Sequence, residues 1–112
     1  MLRKLIGISF ASMLMVAPVA ADTLDDVIDA GTLKCGVVLD FPPIGYFDAN
    51  NEPAGFDVEY CNDLAAALEV DVEILSLTWS ERLPVIVTGR ADVVFGATSD
   101  SLSRAKTVGF SI

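Results

Sequence analysis

The 112-residue sequence contains no histidine, only two cysteines and a single tryptophan. Without histidine, neither a Ser-His-Asp triad nor a Cys-His nucleophile is possible. Two cysteines outside a CxxC spacing cannot fill a tetrahedral zinc site, and no glycine-rich phosphate-binding loop is present. We therefore expect no metal, no cofactor and no nucleotide site.

Basic residues are also scarce. Seven lysines and arginines face sixteen aspartates and glutamates, which gives a formal net charge of -9. No basic stripe exists that would attract a polyanion, so nucleic acid and anionic lipid surfaces are excluded as partners. The hydrophobic fraction of 53% is far above that of disordered chains, which indicates a folded domain.

The first 21 residues have the three parts of a secretory signal. Arg3 and Lys4 precede an apolar run from Leu5 to about Val16, and small residues follow around Pro18. The alternative is an uncleaved anchor, but the run is shorter than the roughly 20 residues that a membrane span needs. We predict cleavage after residue 21 and export of residues 22–112 to the periplasm.

Export would carry the two cysteines, Cys35 and Cys61, into an oxidising compartment. A bridge between them would close a loop of 26 residues, worth on the order of 3 kcal/mol. The alternative is a pair of buried free thiols. The sequence favours the bridge without deciding it.

Helical and extended patterns alternate along the exported part. A capping-box-like pair, Thr23 and Asp26, predicts a helix that ends at Gly31, and the apolar run 32–38 predicts a buried strand. Turn residues between short apolar pairs predict a hairpin or an irregular loop over 46–56.

The second half continues the alternation. Asp57 is predicted to cap a helix over 58–68, and Ser80 a helix that runs to Thr88. Further strands are predicted at 70–75, 91–95 and 108–112. Strands joined through helices need crossover connections, so the fold class is α/β with an open, mainly parallel sheet and helices on both faces.

Such sheets bind ligands outside the carboxyl ends of their strands. Three predicted loops lie there, with Phe41 on the first, Trp79 on the second and residues 96–104 on the third. Arg104 offers a planar fork that matches a carboxylate, although a solvated surface arginine is the alternative. The two aromatics could equally belong to the core. Arg82 and Arg90 are interpreted as surface residues.

The segments LKCGVVLDFPPIGYFDANNEPAGFDVEYCNDLAAAL and LTWSERLPVIVTGRADVVFGATSDSLSRAKTVGFSI resemble the first lobe of the family 3 bacterial solute-binding proteins. These are the periplasmic receptors of amino-acid ABC transporters. The resemblance rests on the Pro-Pro, the Gly-Phe-Asp-Val, the Gly-Arg-Ala-Asp-Val-Val and the Ser-x-x-x-x-Arg motifs. It implies a type II periplasmic binding protein fold, truncated to a partial first lobe over residues 22–112.

The resemblance also assigns roles within the site. It implies that Arg104 clamps the α-carboxylate of an amino acid and that Ser99 adds its hydroxyl and N–H. The carbonyl of Ala97 would accept from the α-amino group, while Phe41 and Trp79 would flank the side chain. Val38 stands where some receptors for basic amino acids have an acidic residue, so a cationic preference has no support.

By the same resemblance, the chain is a monomeric, non-enzymatic component that delivers its amino acid to an ABC permease in the inner membrane. Two alternatives remain. One is an enzyme on the same scaffold, such as a cyclohexadienyl dehydratase, and the other is the extracellular sensor lobe of a signalling protein.

Overall fold

The computed structural model describes residues 22–111, and the predicted signal segment lies outside them. Helices and strands alternate, as the sequence predicted. The elements are α1 (Thr23–Ala30), β1 (Thr32–Val38), β2 (Tyr46–Phe47), β3 (Pro53–Ala54), α2 (Phe56–Ala67), β4 (Asp71–Leu77), α3 (Pro84–Val87), β5 (Val93–Phe95) and α4 (Leu102–Ala105). None of these helices combines the length and the apolar character that crossing a bilayer requires.

Three strands form a parallel sheet in the order β4-β1-β5. Strand β1 is central, with Thr32 opposite Asp71 on one side and Cys35 opposite Val93 on the other. The connection from β4 to β5 therefore crosses β1. Strands β2 and β3 pair separately as the predicted antiparallel hairpin.

Helices cover both faces of the sheet, which confirms the predicted fold class. Successive side chains of a strand point to opposite faces, so Cys35 and Val37 pack with α2 while Val38 packs on the other side. There it meets Val85 of α3 and Leu77 of β4. The apolar run of β1 is buried on both faces for this reason.

Cys35 and Cys61 form the predicted disulfide, which ties β1 to α2. Their sulfurs are 2.03 Å apart and their Cα atoms 6.0 Å apart. Both side chains are fully buried, at 0% exposure, within the apolar layer between helix and sheet. The alternative of two free thiols is wrong for this structure.

Two predicted helix starts need correction. Thr23 lies inside α1, and Asp22 stands at the N-cap without a side-chain hydrogen bond, so the capping box is absent. Asp57 does not cap α2 either, because the helix begins at Phe56 after Gly55.

Backbone carbonyls take the place of the Asp57 cap. The N–H groups of Phe56 and Asp57 donate to the carbonyl oxygens of Pro43 and Ile44, at 3.3 and 2.8 Å. Gly55 has a φ of 110°, and a Cβ there would lie 2.6 Å from the Ile44 oxygen. Only glycine allows this close approach, which fastens the start of α2 to the loop after β1.

The third helix is shorter than predicted, and Ser80 does not cap it. The backbone N–H and hydroxyl of Thr78 both donate to Glu81 Oε2, at 2.9 Å each, and this local turn occupies the predicted first turn of the helix. Helix α3 begins only at Pro84, which needs no N–H acceptor at the first helical position.

The predicted strand over 108–112 is wrong for the residues that are described. Residues 108–111 are irregular, and the short helix α4 precedes them where the sequence predicted only a polar stretch. Within residues 22–111 this segment pairs with no strand, and the outer edge of β5 stays unpaired there.

Candidate functional site

The loops that follow β1, β4 and β5 meet at the carboxyl edge of the sheet. Phe41, three residues beyond β1, and Trp79, two residues beyond β4, make an edge-to-face aromatic pair. Their ring centroids are 5.7 Å apart with an interplanar angle of 72°. Phe41 is 46% exposed and Trp79 41% exposed, so the pair presents apolar surface instead of filling the core.

The Trp79 ring is held at its polar edge as well. Its Nε1 donates to Asp40 Oδ2 at 3.2 Å, which links the loop after β4 to the loop after β1. An indole N–H normally finds such a partner when the ring is partly enclosed. The two aromatics that the sequence placed on separate loops are therefore brought together.

The interpretation of Arg82 as a surface residue is wrong. Its side chain is half-buried and reaches from the turn after Trp79 to the loop after β5. Nε donates to the Trp79 carbonyl at 2.9 Å, and Nη1 donates to the carbonyls of Gly96 and Ala97 at 2.9 and 3.0 Å. The guanidinium carbon lies 5.1 Å from the Trp79 ring centroid.

Sequence reasoning missed Arg82 because the predicted regular helix from Ser80 placed it on an outer face. The turn that Thr78 and Glu81 form lets the side chain fold back instead. A tryptophan three residues before an arginine in a turn-rich segment was the available signal, since arginine stacks readily on indole. Arg90 does match its prediction, being 62% exposed and 3.8 Å from Glu81.

The loop after β5 carries an unusual backbone at Ala97. Its φ of 47° lies in the left-handed region, which non-glycine residues adopt at a cost of order 1 kcal/mol or more. The Ala97 carbonyl, to which the resemblance assigns a ligand amino group, already accepts from Arg82. A carbonyl oxygen has a second lone pair, so one further donor fits geometrically.

Arg104 lies in α4 and is oriented by its own loop. Its Nη1 donates to the Ser99 carbonyl at 2.9 Å, and Ser101 caps the helix by accepting from the Arg104 backbone N–H at 3.4 Å. Arg104 is half-buried and Ser99 is exposed. The two residues that the resemblance assigns to one carboxylate are thus in direct contact.

Contacts connect most of the predicted site. They run from Phe41 to Trp79, from Trp79 to Arg82, and from Arg82 to the 96–98 backbone. Ser99 and Arg104 extend this network along the chain. Among residues 22–111, the structure gives no direct contact between Arg104 and the aromatic pair.

A cavity of about 960 Å³ runs along the outer edge of β5 beside this network. Tyr60 and Phe95 stack in its wall with ring centroids 5.7 Å apart, and Arg82 and Ser99 line its end nearest the site. Asp57 also lines it, and burial raises the pKa of that carboxyl above its ordinary value of 3.8. Neither Phe41 nor Trp79 lines the cavity, so the aromatic pair stands outside it.

Among residues 22–111, no three carboxylate or cysteine side chains lie close enough together to hold a metal ion. The groups present at this edge of the sheet are the guanidinium of Arg104, the aromatic faces of Phe41 and Trp79, and the backbone and hydroxyls of the 96–99 loop.

Comparison with known proteins relates this site to a ligand-binding family. The glutamate/aspartate import solute-binding protein of Salmonella typhimurium is 28% identical over 102 residues, covering 85% of this chain and 34% of that protein. The general L-amino acid-binding periplasmic protein AapJ of Rhizobium johnstonii is 32% identical over 94 residues, covering 81% of this chain and 28% of that protein. The chain spans about a third of the length of the curated relatives it matches.

An enzyme is also among the relatives. The cyclohexadienyl dehydratase of Pseudomonas aeruginosa is 27% identical over 89 residues, covering 80% of this chain and 33% of the enzyme. Most of the other relatives are solute-binding proteins. Proteins similar to this one therefore include both solute-binding proteins and an enzyme.

The solved structures agree with this relationship. The arginine-bound form of domain 1 from TmArgBP superposes with a TM-score of 0.75 at 32% identity, covering 79% of this chain and 70% of that domain. Its fold is an amino-acid-binding protein domain of the type II periplasmic binding class. Residues 33–112 match the family model of bacterial extracellular solute-binding proteins, family 3, which is most of the chain. The chain belongs to the family 3 bacterial extracellular solute-binding proteins.

Proposed function

We propose that this chain binds a free amino acid through its α-carboxylate, as the receptor component of an amino-acid ABC transporter. The observation that carries the proposal is the orientation of Arg104. Its guanidinium is held by the Ser99 carbonyl, in a loop whose residues Gly96 and Ala97 are bonded to Arg82 beside Trp79. A fixed planar fork is the side chain best matched to a carboxylate.

The Arg104 contact with Ser99 leaves the guanidinium with donors for a ligand. Arginine has five N–H donors, and the contact to the Ser99 carbonyl involves Nη1. The Ser99 hydroxyl and N–H are exposed on the same stretch and would supply neutral donors to the same oxygens. Charge-assisted pairing with two carboxylate oxygens also fixes the orientation of the ligand.

The aromatic pair gives the proposal a second, independent support. Phe41 and Trp79 together expose apolar faces at the same sheet edge, suited to the side chain or aliphatic stem of an amino acid. Asp40 is the acidic group nearest to this platform, through its contact with Trp79. These features define a class of ligand and leave its side chain open.

We further propose that the chain is exported by cleavage of residues 1–21, acts in the periplasm as a monomer and passes its ligand to a membrane permease without catalysing a reaction. The relatives support this through their names, which describe import and periplasmic binding. The domain 1 structure of TmArgBP is described as arginine-bound, which supports ligand binding by a chain of this size.

The test compares two arginine variants. The wild-type chain, Arg104→Ala and Arg90→Ala are titrated by calorimetry with L-glutamate, L-glutamine, L-arginine and agmatine. Agmatine is arginine without its α-carboxylate. A lost charge-assisted hydrogen bond typically costs about 1.5–3 kcal/mol, so Arg104→Ala should weaken amino-acid binding by roughly tenfold to a hundredfold.

Arg90→Ala is the matched control because Arg90 is exposed at the far end of α3. It should leave affinity unchanged within about twofold, the usual effect of a surface substitution. Agmatine should bind no variant measurably. The carboxylate role of Arg104 would be contradicted if Arg104→Ala and Arg90→Ala lost the same amount of amino-acid affinity. It would also be contradicted if the wild-type chain bound agmatine as tightly as L-arginine.

A dehydratase is the second candidate, favoured by the enzyme among the relatives. Dehydration requires an acid beside the departing hydroxyl. The carboxyl group nearest to the aromatic platform is Asp40, which is exposed and already accepts from Trp79. Incubation of the wild-type chain with a cyclohexadienyl acid and chromatography of the products decides the matter: turnover that Asp40→Asn abolishes would replace the receptor proposal.

A further inference from the structure

We propose that Arg82 is the positioning residue of the amino-acid site: its guanidinium fixes the Trp79 ring and the 96–98 backbone relative to each other before the ligand arrives. The inference rests on the proposed function and adds a residue that touches no ligand in it. Arg82 joins the carbonyl of Trp79, three positions before it, to the loop after β5, whose bonded residues are 14 to 16 positions after it.

The first part of the argument is the number of groups that one side chain holds. Arg82 Nε donates back to the Trp79 carbonyl, while Nη1 donates forward to Gly96, Ala97 and, at 3.4 Å, the Thr98 hydroxyl. These acceptors belong to the loops after β4 and β5. Because the guanidinium is planar and rigid, fixing one edge fixes the other.

The second part concerns the backbone that these bonds orient. In a planar trans peptide the carbonyl and the following N–H point in opposite directions. With the carbonyls of Gly96 and Ala97 turned toward Arg82, the N–H groups of Ala97 and Thr98 point away from it. Among residues 22–111, neither N–H donates to a protein group. Arg82 thereby sets the direction in which this loop presents its donors.

The third part concerns the aromatic platform. Trp79 is bounded by Asp40 at its N–H, by the ring of Phe41 at 5.7 Å and by the Arg82 guanidinium at 5.1 Å. Three different interactions from three directions leave the ring little rotational freedom, although it remains 41% exposed. A platform ordered in advance spares the ligand the entropy cost of ordering it.

Lysine cannot replace this arrangement. An ammonium is a point charge without the planar fork, so it can neutralise carbonyls but cannot bridge Trp79 and the Gly96–Ala97 pair at the same time. Within the described residues the ion pair of the structure joins Arg90 and Glu81, so Arg82 is held by carbonyls instead of a carboxylate. Its role is thus geometric more than charge-neutralising.

The test uses the single tryptophan of the chain as a reporter. Arg82→Gln, Arg82→Lys and the matched surface control Arg90→Gln are compared with wild type. Steady-state anisotropy and acrylamide quenching of Trp79 measure ring mobility, and calorimetry with L-glutamate, L-glutamine and L-arginine measures affinity. Circular dichroism confirms that each variant is folded.

Arg82→Gln should lower the anisotropy, raise the quenching constant and weaken binding by roughly threefold to tenfold, the cost of ordering one side chain on binding. The anisotropy, quenching constant and affinity of Arg82→Lys should be closer to those of Arg82→Gln than to those of wild type. Arg90→Gln should match wild type in all three. Unchanged anisotropy in Arg82→Gln overturns the proposal. Changed anisotropy with unchanged affinity overturns its bearing on ligand binding.

The fluorescence arm does not depend on a ligand, so failure of the proposed function and failure of the positioning role are distinguishable. If Arg82→Gln does not fold, arginine Nε–H exchange in the wild-type chain gives the decision by NMR. The Arg82 Nε–H, bonded to the Trp79 carbonyl, should exchange at least about tenfold more slowly than that of exposed Arg90. Equal exchange rates would overturn the proposal.

Discussion

The Cys35–Cys61 bridge should supply a large part of the stability of the folded chain. It closes a loop of 26 residues, and the chain-entropy model assigns about 3 kcal/mol to a loop of this length. A domain of this size has a total free energy of unfolding on the order of 5–15 kcal/mol. Reduction should therefore remove between about a fifth and three fifths of it.

The assay is urea denaturation of the oxidised and the reduced wild-type chain, followed by Trp79 fluorescence. With an m-value of about 1–3 kcal/mol/M, the midpoint should fall by about 1–3 M on reduction. The m-value itself should rise, because an unfolded chain without the bridge exposes more surface. Thiol labelling before denaturation should find none free in the oxidised protein.

The double variant Cys35→Ala/Cys61→Ala is the matched control. It loses the loop constraint together with two fully buried sulfurs, so it should be at least as unstable as the reduced wild type. Added reductant should leave its midpoint unchanged. Coincident midpoints for the oxidised and reduced wild type would refute the reasoning, since the bridge would then contribute nothing through the unfolded state.

Two further predictions concern charge and processing. Hydrogen bonds from the backbone N–H and hydroxyl of Thr78 hold the pKa of Glu81 below its ordinary value of 4.5. The charged Glu81 carboxylate therefore stabilises the fold above pH 4.5, and this stabilisation is lost as the pH falls through its folded-state pKa. The stability difference between wild type and Glu81→Gln, from urea denaturation at several pH values, should shrink toward pH 3, and a constant difference would contradict it. Protein recovered from the periplasm should begin at Asp22 by N-terminal sequencing, and an intact Met1 would show that residues 1–21 are retained.

The parallel architecture could be predicted because hydrophobic runs and their punctuation are local signals. Strand β1 has the predicted bounds, 32–38, since a mainly apolar run lies between Gly31 and the Pro42–Pro43 pair. The disulfide followed from the number of cysteines and the expected compartment. Neither inference required knowing which residues pack against each other in the folded chain.

The errors arose where a distant backbone group replaced a local cap. Asp57 has the residue type of an N-cap, but the carbonyls of Pro43 and Ile44 reach the first N–H groups of α2 before any side chain is needed. The strand predicted over 108–112 is wrong for residues 108–111 because an apolar pattern alone does not decide which strand a segment pairs with, and this one pairs with none of the described strands. Neither the missing Asp57 cap nor the missing strand can be predicted from the neighbouring residues alone.

The positions of single residues in the candidate site could be predicted from the sequence, but the contacts between them could not. Phe41 and Trp79 stand at loop positions that the order of strands and helices determines, whereas Arg104 lies in the short helix α4. Arg82 depends on a turn at Thr78–Glu81 that the sequence pattern did not separate from a helix. The roles that the resemblance assigns to Ala97, Ser99 and Arg104 stay predictions until ligand titration tests them.

The central position of β1 has a consequence for how binding and folding relate. The aromatic pair requires only that β1 and β4 be aligned, whereas the 96–104 loop takes its place only when β5 also joins β1. Trp79 contacts Phe41 and Arg82, and it is Arg82 that bonds the loop after β5. Under the proposed function, amino-acid affinity would measure the complete three-strand assembly, and a chain could keep the Phe41–Trp79 contact after it had lost the ability to recognise a solute.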